Sequence, residues 1–537
     1  MRTLFRNGVL FDGHRYLGGG EVLVEGDRIA EVHGGFETGA RAPSSTTEVV
    51  DLEGGLLLPG FTDAHVHPIQ GGLERLRCDL SAHSTREEYL ATIKEYADTH
   101  PDAEWILGGG WAMPAFPGGT PTAADLDRVV PDRPVYLPNR DHHGAWVNSR
   151  ALEIAGVDEH TPDPPDGRIE RGADGRPSGT LHEGATALVS RYLPRTTGSD
   201  HYAALMAGQA YLHSVGVTSW QDAIVGAYSG MDDPASTYEI AAANGDLRSY
   251  VVGALWWERR LGVEQVDDLV RRREAMTGGR FRATTVKIMQ DGVAENGTAA
   301  MLSPYLDRCG HPTDNSGHSF LTADAIKDAV ASLDAAGFQV HVHAIGDRGV
   351  REALDAFEGL ERLDRRHHIA HLQVVHPDDV RRFAGLGVAA NLQMLWACLD
   401  EQMVDLTLPF LGAERSRWQY PFGDLARAGA RLVAGSDWPV STPDPLQAIQ
   451  VAVTRVEPGT DGEPFLPGQV LTLEQAFAAY TSGSAWVNHR DDAGTLRPGS
   501  VADLVVLDRD PFAGKPQDVG SARVVSSWID GSAVYEA

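Results

Sequence analysis

The sequence has few cysteines, and their positions exclude two kinds of site. Only 3 of the 537 residues are cysteines, namely Cys78, Cys309 and Cys398, and they lie far apart without any CxxC pair. Disulfide frameworks and thiolate zinc sites need cysteines in even numbers or at short regular spacings. We therefore expect neither in this chain.

Long apolar runs are also missing. No stretch approaches the roughly 18 uninterrupted apolar residues that a membrane helix requires, and the opening MRTLFRNGVLFDG lacks the apolar core and the cleavage site of a signal peptide. We therefore expect no membrane association and a cytoplasmic location.

Positive charge is scarce as well. There are 46 Lys and Arg against 75 Asp and Glu, which gives a net charge of −29. Such a chain repels nucleic-acid phosphates and anionic lipid headgroups, so we expect neither as a partner. A hydrophobic content of 42% is that of an ordinary folded protein. We expect a small-molecule substrate and keep a homodimer open as the assembly.

The two ends of the chain share a β-rich texture. Short alternating segments separated by Gly-rich turns, such as EVLVEGDRIAEV near the start and GTLRPGSVADLVVLD near the end, predict antiparallel strands. The simplest arrangement joins residues 1–58 and 490–537 in one composite β-sandwich domain. Two separate hairpins are the alternative.

The middle of the chain alternates helical patterns with short apolar runs. A helical pattern such as TADAIKDAVASLDAAG falls between several of these runs, and near-continuous apolar strands are typical of a parallel sheet. The eight strand candidates are LLLPGFTDAHVH, VTSWQDA, LRSYVVGALWW, ATTVKIMQDG, FQVHVHAIGD, RHHIAHLQVV, VAANLQML and ARLVAGSDWPV. Eight strands with intervening helices predict an α/β fold, a (β/α)8 TIM barrel over residues 59–489.

Residues 73–200 interrupt this alternation. They are rich in Pro, Gly and aromatic residues, as in GGGWAMPAFPGGTP. We interpret them as a large insertion after the first strand that forms a cap over the barrel.

Polar side chains occur where the predicted strands end. Catalytic groups of such barrels project from the C-terminal ends of the strands, and a buried strand has little reason to carry an unpaired ionisable group. The six candidates are His65, His67, Lys287, His343, His371 and Asp437. Nitrogen and oxygen ligands without thiolate suit a divalent metal, zinc first, with Mn, Fe, Co or Ni open. His341 forms a second HxH pair, but neighbours on one face of a strand need not both bind the ion.

Several of these motifs together resemble the amidohydrolase superfamily, and within it amidohydrolase family 3, specifically the branch similar to N-substituted formamide deformylase. The resemblance covers nearly the whole chain, and it implies that the β-sandwich domain of the two termini is of the urease-like type. The motifs that carry it are GFTDAHVH, VHAIGDR, HIAHLQ, GSDWPV, DHHGAWVNSRAL, SGTLHEGA and the tail LTLEQAFAAYTSGSAW.

This resemblance implies a metal site of one or two ions held by His65, His67, His343, His371 and Asp437. It also makes Lys287 a candidate for carbamylation to N6-carboxylysine, which would convert an amine into a bridging carboxylate. The sixth-strand motif of the family often has Glu before its histidine, whereas Ala370 stands there in this chain. This difference puts a supporting or substrate contact in doubt.

The implied reaction is hydrolysis of a C–N amide bond other than a peptide bond. A metal lowers the pKa of bound water and polarises the carbonyl, and Asp437 is expected to act as general base and then as general acid. A cyclic-amide hydrolase or deaminase with the same metal centre, or an N-acyl amino acid hydrolase, remain alternatives.

Aromatic residues of the insertion and of the strand ends predict an aromatic or bulky apolar substrate. The alternative is that many of them only pack the cap on the barrel. The candidate substrate contacts are Trp111, His143, Glu183, Trp220 and Trp438.

Overall fold

The computed structural model describes residues 2–35, 47–228, 231–361 and 363–537. Three β-sheets, each with its own core, organise these residues. Within the described ranges, no helix combines the length and the apolar character needed to cross a bilayer.

The central sheet confirms the predicted (β/α)8 barrel. Its eight strands are parallel and neighbour one another in chain order. They are β6 (Phe61–Val66), β13 (Val217–Val225), β14 (Tyr250–Trp256), β15 (Phe281–Met289), β16 (Gln339–Ala344), β17 (His368–His371), β18 (Ala389–Leu392) and β19 (Leu432–Ala434). Every residue of β6, β16, β17 and β18 is buried, as expected for strands covered on both faces.

Hydrogen bonds beyond the end of β19 join the first and last strands. The Asp437 N–H donates to the carbonyl of His65 at 2.7 Å, and the Ser436 N–H donates to the Asp63 carboxylate at 3.1 Å. The barrel is therefore closed at the edge where the predicted metal ligands lie.

The helices surround the barrel and the cap. Many begin at a residue whose side chain caps the free backbone N–H groups; Thr322, for example, accepts from the Ala325 N–H. The α-helices are α1 (Pro68–Leu76), α2 (Arg86–Thr99), α3 (Ala123–Asp127), α4 (Ser149–Ala155), α5 (Ala187–Ser190), α6 (Gly198–Ser214), α7 (Ala235–Asn244), α8 (Val266–Ala275), α9 (Ala323–Ala335), α10 (Asp347–Phe357), α11 (Pro377–Leu386), α12 (Leu408–Ser416), α13 (Phe422–Arg427), α14 (Pro445–Thr454), α15 (Leu473–Ala478) and α16 (Ser484–Val487).

A second sheet of eight strands contains both ends of the chain. Strand pairing runs directly from one terminal segment to the other, with Leu57 opposite Val506 in antiparallel register, so the segments form one sheet and not two separate hairpins. Residues 1 and 36–46 of the N-terminal segment lie outside the described ranges. The strands are β1 (Arg2–Phe11), β2 (Tyr16–Glu25), β3 (Arg28–Gly34), β4 (Glu48–Asp51), β5 (Leu56–Pro59), β20 (Leu504–Leu507), β21 (Val524–Ile529) and β22 (Ser532–Glu536).

The segment between β6 and α6 contains a third, six-stranded mixed sheet. The sequence predicts a cap here but no sheet, because strands this short show little alternation of apolar and polar residues between the Pro and Gly residues. They are β7 (Cys78–Asp79), β8 (Ile106–Gly109), β9 (Val135–Pro138), β10 (Gly144–Val147), β11 (Gly167–Arg171) and β12 (Pro177–Glu183). The domain boundaries at 58, 73, 200 and 490 stay predictions.

Candidate metal centre

Five of the six predicted ligands form a connected cluster at the C-terminal ends of the strands, in which each side chain lies within 3.9 Å of at least one other. His65 Nε2 and His67 Nε2 lie 3.2 and 3.0 Å from Oδ1 of Asp437, and His371 Nδ1 lies 3.9 Å from its Oδ2. Lys287 Nζ lies 3.3 Å from His65 Nε2. Within the described chain, one atom each of His65, His371 and Asp437 forms a group whose members are all within 4.8 Å, close enough to hold one ion.

His343 belongs to the same cavity but is oriented differently. Its ring centroid lies 4.4 Å from that of His371, whereas its Nε2 lies 3.3 Å from the Gly292 carbonyl oxygen and 3.5 Å from Oδ1 of Asp291. A cavity of about 60 Å³ is lined by all six predicted ligands. His343 thus lies beside the cluster without contacting Asp437.

Two residues of the cluster have a backbone conformation that L-residues rarely adopt. The φ angles of His371 and Asp437 are 79° and 58°, in the left-handed region where most non-glycine residues are strained. Gln393 Oε1 accepts from the His371 N–H at 2.6 Å, and this hydrogen bond stabilises the unusual backbone conformation at His371. Strain of this kind persists where the surrounding structure enforces it, and it clusters at functional sites.

Burial sets the protonation states in the cluster. Burial lowers the pKa of His343 and of His371 well below the usual value, and it lowers that of Lys287 to about 7. Burial alone would raise the pKa of Asp437, but its contacts with His65, His67 and His371 hold it well below its usual range. Neutral imidazoles beside an ionised carboxylate are the forms that bind a metal.

The residues present fit a divalent ion. Both ring nitrogens of His371 are buried and have no hydrogen-bond partner among the described residues, a costly arrangement unless a further group binds there. Two ligands that each stand about 2.0–2.1 Å from a tetrahedral zinc are separated by roughly 3.3 Å. The separations of 3.0 and 3.2 Å around Asp437 Oδ1 are close to that value.

Buried carboxylates hold the loops that carry the cluster. Asp63 accepts from the His65 N–H at 3.0 Å and from the Ser436 N–H, so it supports the backbone of the HxH pair. Burial raises its pKa to about 7. Asp291 was missed; it accepts from the N–H groups of Ile345 and Gly346. Its only signal is its position just after the strand of Lys287.

The cap contributes residues 141–143 to the cavity, and one of them, His143, is a predicted substrate contact. His143 lines it, and its Nδ1 lies 3.0 Å from both carboxylate oxygens of Glu183. Burial lowers the pKa of His143, but the charge and hydrogen bond of Glu183 outweigh that effect and raise it to about 9. Glu183 does not line this cavity; it also accepts from the Thr298 hydroxyl at 2.8 Å. His143 is therefore an imidazolium whose ring is held by Glu183, a residue outside the cavity.

Two predicted substrate contacts need correction. Trp111 is 1% exposed and its indole N–H donates to the Leu137 carbonyl inside the cap core, and Trp220 is fully buried in the barrel core. Neither lines the cavity at the cluster, because large aromatic side chains contribute most by packing in cores.

Trp438 lines an adjoining outer cavity of about 570 Å³ rather than the cluster itself. It packs against Tyr211 at a centroid distance of 5.3 Å. Trp396 stacks on His371 with the ring planes 1° apart and lines both cavities. Trp396 is thus an aromatic residue in direct contact with the cluster.

Comparison with known proteins agrees with this geometry. The profile of the Amidohydrolase family matches residues 48–535. The chain belongs to the amidohydrolase family. This membership confirms the resemblance seen in the motifs, and with it the predicted class, a metal-dependent hydrolase of C–N bonds.

Individual relatives cover nearly the whole chain. The N-substituted formamide deformylase of Arthrobacter pascens is 28% identical over 549 residues, with 96% of this chain and 94% of the relative covered. The protein LONG AFTER FAR-RED 3 of Arabidopsis thaliana is 31% identical over 551 residues, with coverages of 99% and 91%. An uncharacterized metal-dependent hydrolase from Pyrococcus furiosus superimposes with a TM-score of 0.71 at 26% identity, covering 95% of this chain and all of that one.

Proposed function

We propose that this amidohydrolase cleaves the C–N bond of a small N-substituted amide of the formamide type that carries an aromatic or bulky apolar substituent. The observation that carries the proposal is the convergence of His65, His67 and Asp437 at distances of 3.0 and 3.2 Å. The substrate class is supported by the similarity to the formamide deformylase of Arthrobacter pascens over 96% of the chain.

The metal would be held by His65, His67, His371 and Asp437, with His343 beside them in the same cavity. We propose zinc as the ion, with one or two ions per chain. When bound, such an ion supplies Lewis acidity, which lowers the pKa of a water ligand and polarises a carbonyl group. Lys287 is buried and has a pKa of about 7, so much of it is a neutral amine able to add CO₂, and we propose that it is carbamylated.

Asp437 is proposed as the acid/base group. Its carboxylate is buried and its pKa lies well below the usual value, so it is ionised and able to accept a proton from water. It then donates that proton to the leaving nitrogen, which would otherwise depart as an unstable amide anion. The products are a carboxylate and an amine.

Side chains facing the cavity support the proposed substrate. Trp396, Trp256 and Met289 give it an apolar wall, suited to an aromatic or bulky alkyl substituent. His143 lines the same cavity from the cap, and its ring N–H that is not paired with Glu183 can donate to a substrate oxygen.

The alternatives differ in what the cavity would need. Hydrolysis of N-acyl amino acids calls for a cation that binds the substrate carboxylate. His143 would have to serve as that cation, because none of the residues known to line the inner cavity is an arginine and Arg75 and Arg140 line only the outer one. A cyclic-amide hydrolase or deaminase would use the same cluster. A cytoplasmic location and a homodimer stay predictions from the sequence.

The proposal is tested by removing the metal with a chelator, restoring zinc and assaying formamides, cyclic amides and N-acyl amino acids in parallel. Amine, carboxylate and ammonia are detected separately, and zinc in protein-free buffer is the control. We expect amine and formate from an aromatic or alkyl formamide only after zinc is restored. Ammonia release from a ring substrate, without formamide cleavage, would overturn the proposal.

A further inference from the structure

Beneath the metal ligands, the barrel interior is filled with hydrogen-bonded polar side chains. Gln221 on β13 and Gln339 and His341 on β16 are each at most 3% exposed. Buried polar groups of this kind are retained when every member has a partner, and the partners then fix the direction of each hydrogen bond.

Two backbone carbonyls at one end of this chain of hydrogen bonds determine which atom donates and which accepts in every bond of the chain. Gln339 Nε2 donates to the carbonyl oxygens of Arg366 at 2.8 Å and of Val487 at 2.6 Å. A carbonyl oxygen only accepts, so the amide nitrogen of Gln339 must be on this side. Its Oε1 therefore faces Gln221 and accepts from Gln221 Nε2 at 3.1 Å.

This orientation passes to the next amide. Gln221 Nε2 also donates to Oδ1 of Asn488 at 3.0 Å, so both of its donors are used on one side. Gln221 Oε1 then faces His341 Nδ1 at 2.7 Å. Because an amide oxygen only accepts, the proton of His341 must be on Nδ1.

His341 holds a single proton. Its ring is fully buried. In the described ranges, its polar and ring contacts are imidazoles, an amide and Lys287 Nζ at 3.5 Å. A second proton would therefore create a buried cation without a carboxylate partner. His341 Nε2 is therefore an acceptor. It lies 3.0 Å from His65 Nδ1, which must be the donor.

We propose that Gln221 and His341 are positioning residues that hold His65 in the tautomer with its proton on Nδ1 and its lone pair on Nε2, facing the metal site. That Nε2 lies 3.2 Å from Asp437 Oδ1. A lone pair and a carboxylate oxygen at this distance repel unless a cation lies between them, so the network prepares the site for a metal before it binds. In the reverse tautomer of His65, the proton would be on Nε2, and His341 would have to donate to His65 from its own Nε2. The unprotonated Nδ1 of His341 would then face the oxygen Oε1 of Gln221, and the two lone pairs would repel.

The inference rests on the proposed function only through the role of His65 as a ligand, and the tautomer can be measured without metal or substrate. Metal-free wild-type protein with ¹⁵N-labelled imidazoles is examined by long-range ¹H–¹⁵N NMR, and His65→Gln identifies the His65 signals. We expect a protonated Nδ1 and an unprotonated Nε2. A proton on Nε2 of His65 would overturn the inference, whatever the protein hydrolyses.

A second measurement uses zinc affinity, determined by competition with a chromogenic chelator. Gln221→Leu removes the acceptor of His341, and loss of such supporting partners typically weakens metal binding about 10- to 100-fold.

Gln209→Leu is the matched control. Gln209 is a buried glutamine of α6 whose side chain, among the described residues, bonds only the Asp246 carbonyl and the N–H groups of Arg248 and Ser249. We expect it to lower stability and leave zinc affinity unchanged. Equal zinc affinity of Gln221→Leu and wild type would contradict the positioning role.

Discussion

His67 Nε2 lies 3.0 Å from Oδ1 of Asp437, although 370 residues separate the two in the chain. The contact joins the end of β6 to the turn that follows β19, so it forms only when the barrel closes. The turn itself is held by the hydrogen bond from the Asp437 N–H to the His65 carbonyl. The acid/base group and the HxH pair are therefore placed together by barrel closure.

Asp437→Asn removes the proposed general base while keeping the size of the side chain. We expect kcat to fall about 10²- to 10⁴-fold, the range typical of a positioned acid/base group. The measurement is steady-state kinetics at equal zinc content.

Asp444→Asn is the matched control for this change. Asp444 is the N-cap of α14 and accepts from the Leu446 N–H, and asparagine caps a helix about as well as aspartate. We expect its kcat to match wild type. An Asp437→Asn variant as active as Asp444→Asn would exclude the assigned role.

Carbamylation of Lys287 is detectable directly. Burial lowers the pKa of this lysine to about 7, so above that pH the neutral amine that reacts with CO₂ predominates. Wild-type protein incubated with ¹³C-bicarbonate and zinc is expected to give a carbamate signal in ¹³C NMR. The signal should disappear in Lys287→Ala and persist in Lys327→Ala, a change on α9. Wild-type protein without any such signal would refute the modification.

His143, which is held by Glu183, is expected to bind a substrate oxygen. Hydrogen bonds from charged donors contribute about 1.5–3 kcal/mol, so His143→Gln should lower kcat/KM roughly 10- to 100-fold. His182→Gln is the control, because His182 is a buried neighbour that bonds Glu170 and does not line the metal cavity. Equal kcat/KM in the two variants would show that His143 is structural.

The barrel and the positions of the metal-site residues could be predicted from the sequence for a physical reason. Parallel strands buried on both faces are continuous apolar runs, and a histidine, lysine or aspartate at the end of such a run stands out. HVHAIGD and GSDWPV are examples, and the structure brings His343 and Asp437 to the same cavity.

The direction of side chains could not be predicted in this way. Trp111 and Trp396 are indistinguishable as aromatic residues in sequence, yet one packs in the cap core and the other stacks on His371. Gln221 carries no local signal, since its role depends on carbonyls supplied by Arg366 and Val487 from distant parts of the chain. Such roles arise from tertiary packing alone.

A buried histidine outside the site predicts how stability depends on pH. His213 bonds the Ser249 hydroxyl, and burial lowers its pKa from 6.5 to about 4. A histidine whose pKa is lower in the folded than in the unfolded protein is neutral in both states at high pH. As the pH falls through the pKa of the unfolded state, the unfolded protein binds the proton more readily, and the folded state loses stability. Between about pH 7.5 and about pH 5.5 this linkage amounts to roughly 1 kcal/mol.

We therefore expect thermal unfolding of the wild type to shift to lower temperature over that pH interval, and less so in His213→Gln. Calorimetry of both proteins at the two pH values measures the difference. Equal shifts in the two proteins would show that His213 is not the group responsible.

The most direct test of the metal centre is anomalous diffraction at the zinc edge from crystals grown with zinc. We predict a peak about 2.0–2.2 Å from Nε2 of His65, Nε2 of His67 and the Asp437 carboxylate. An active, zinc-loaded crystal whose anomalous peaks all lie away from these three side chains would contradict the account.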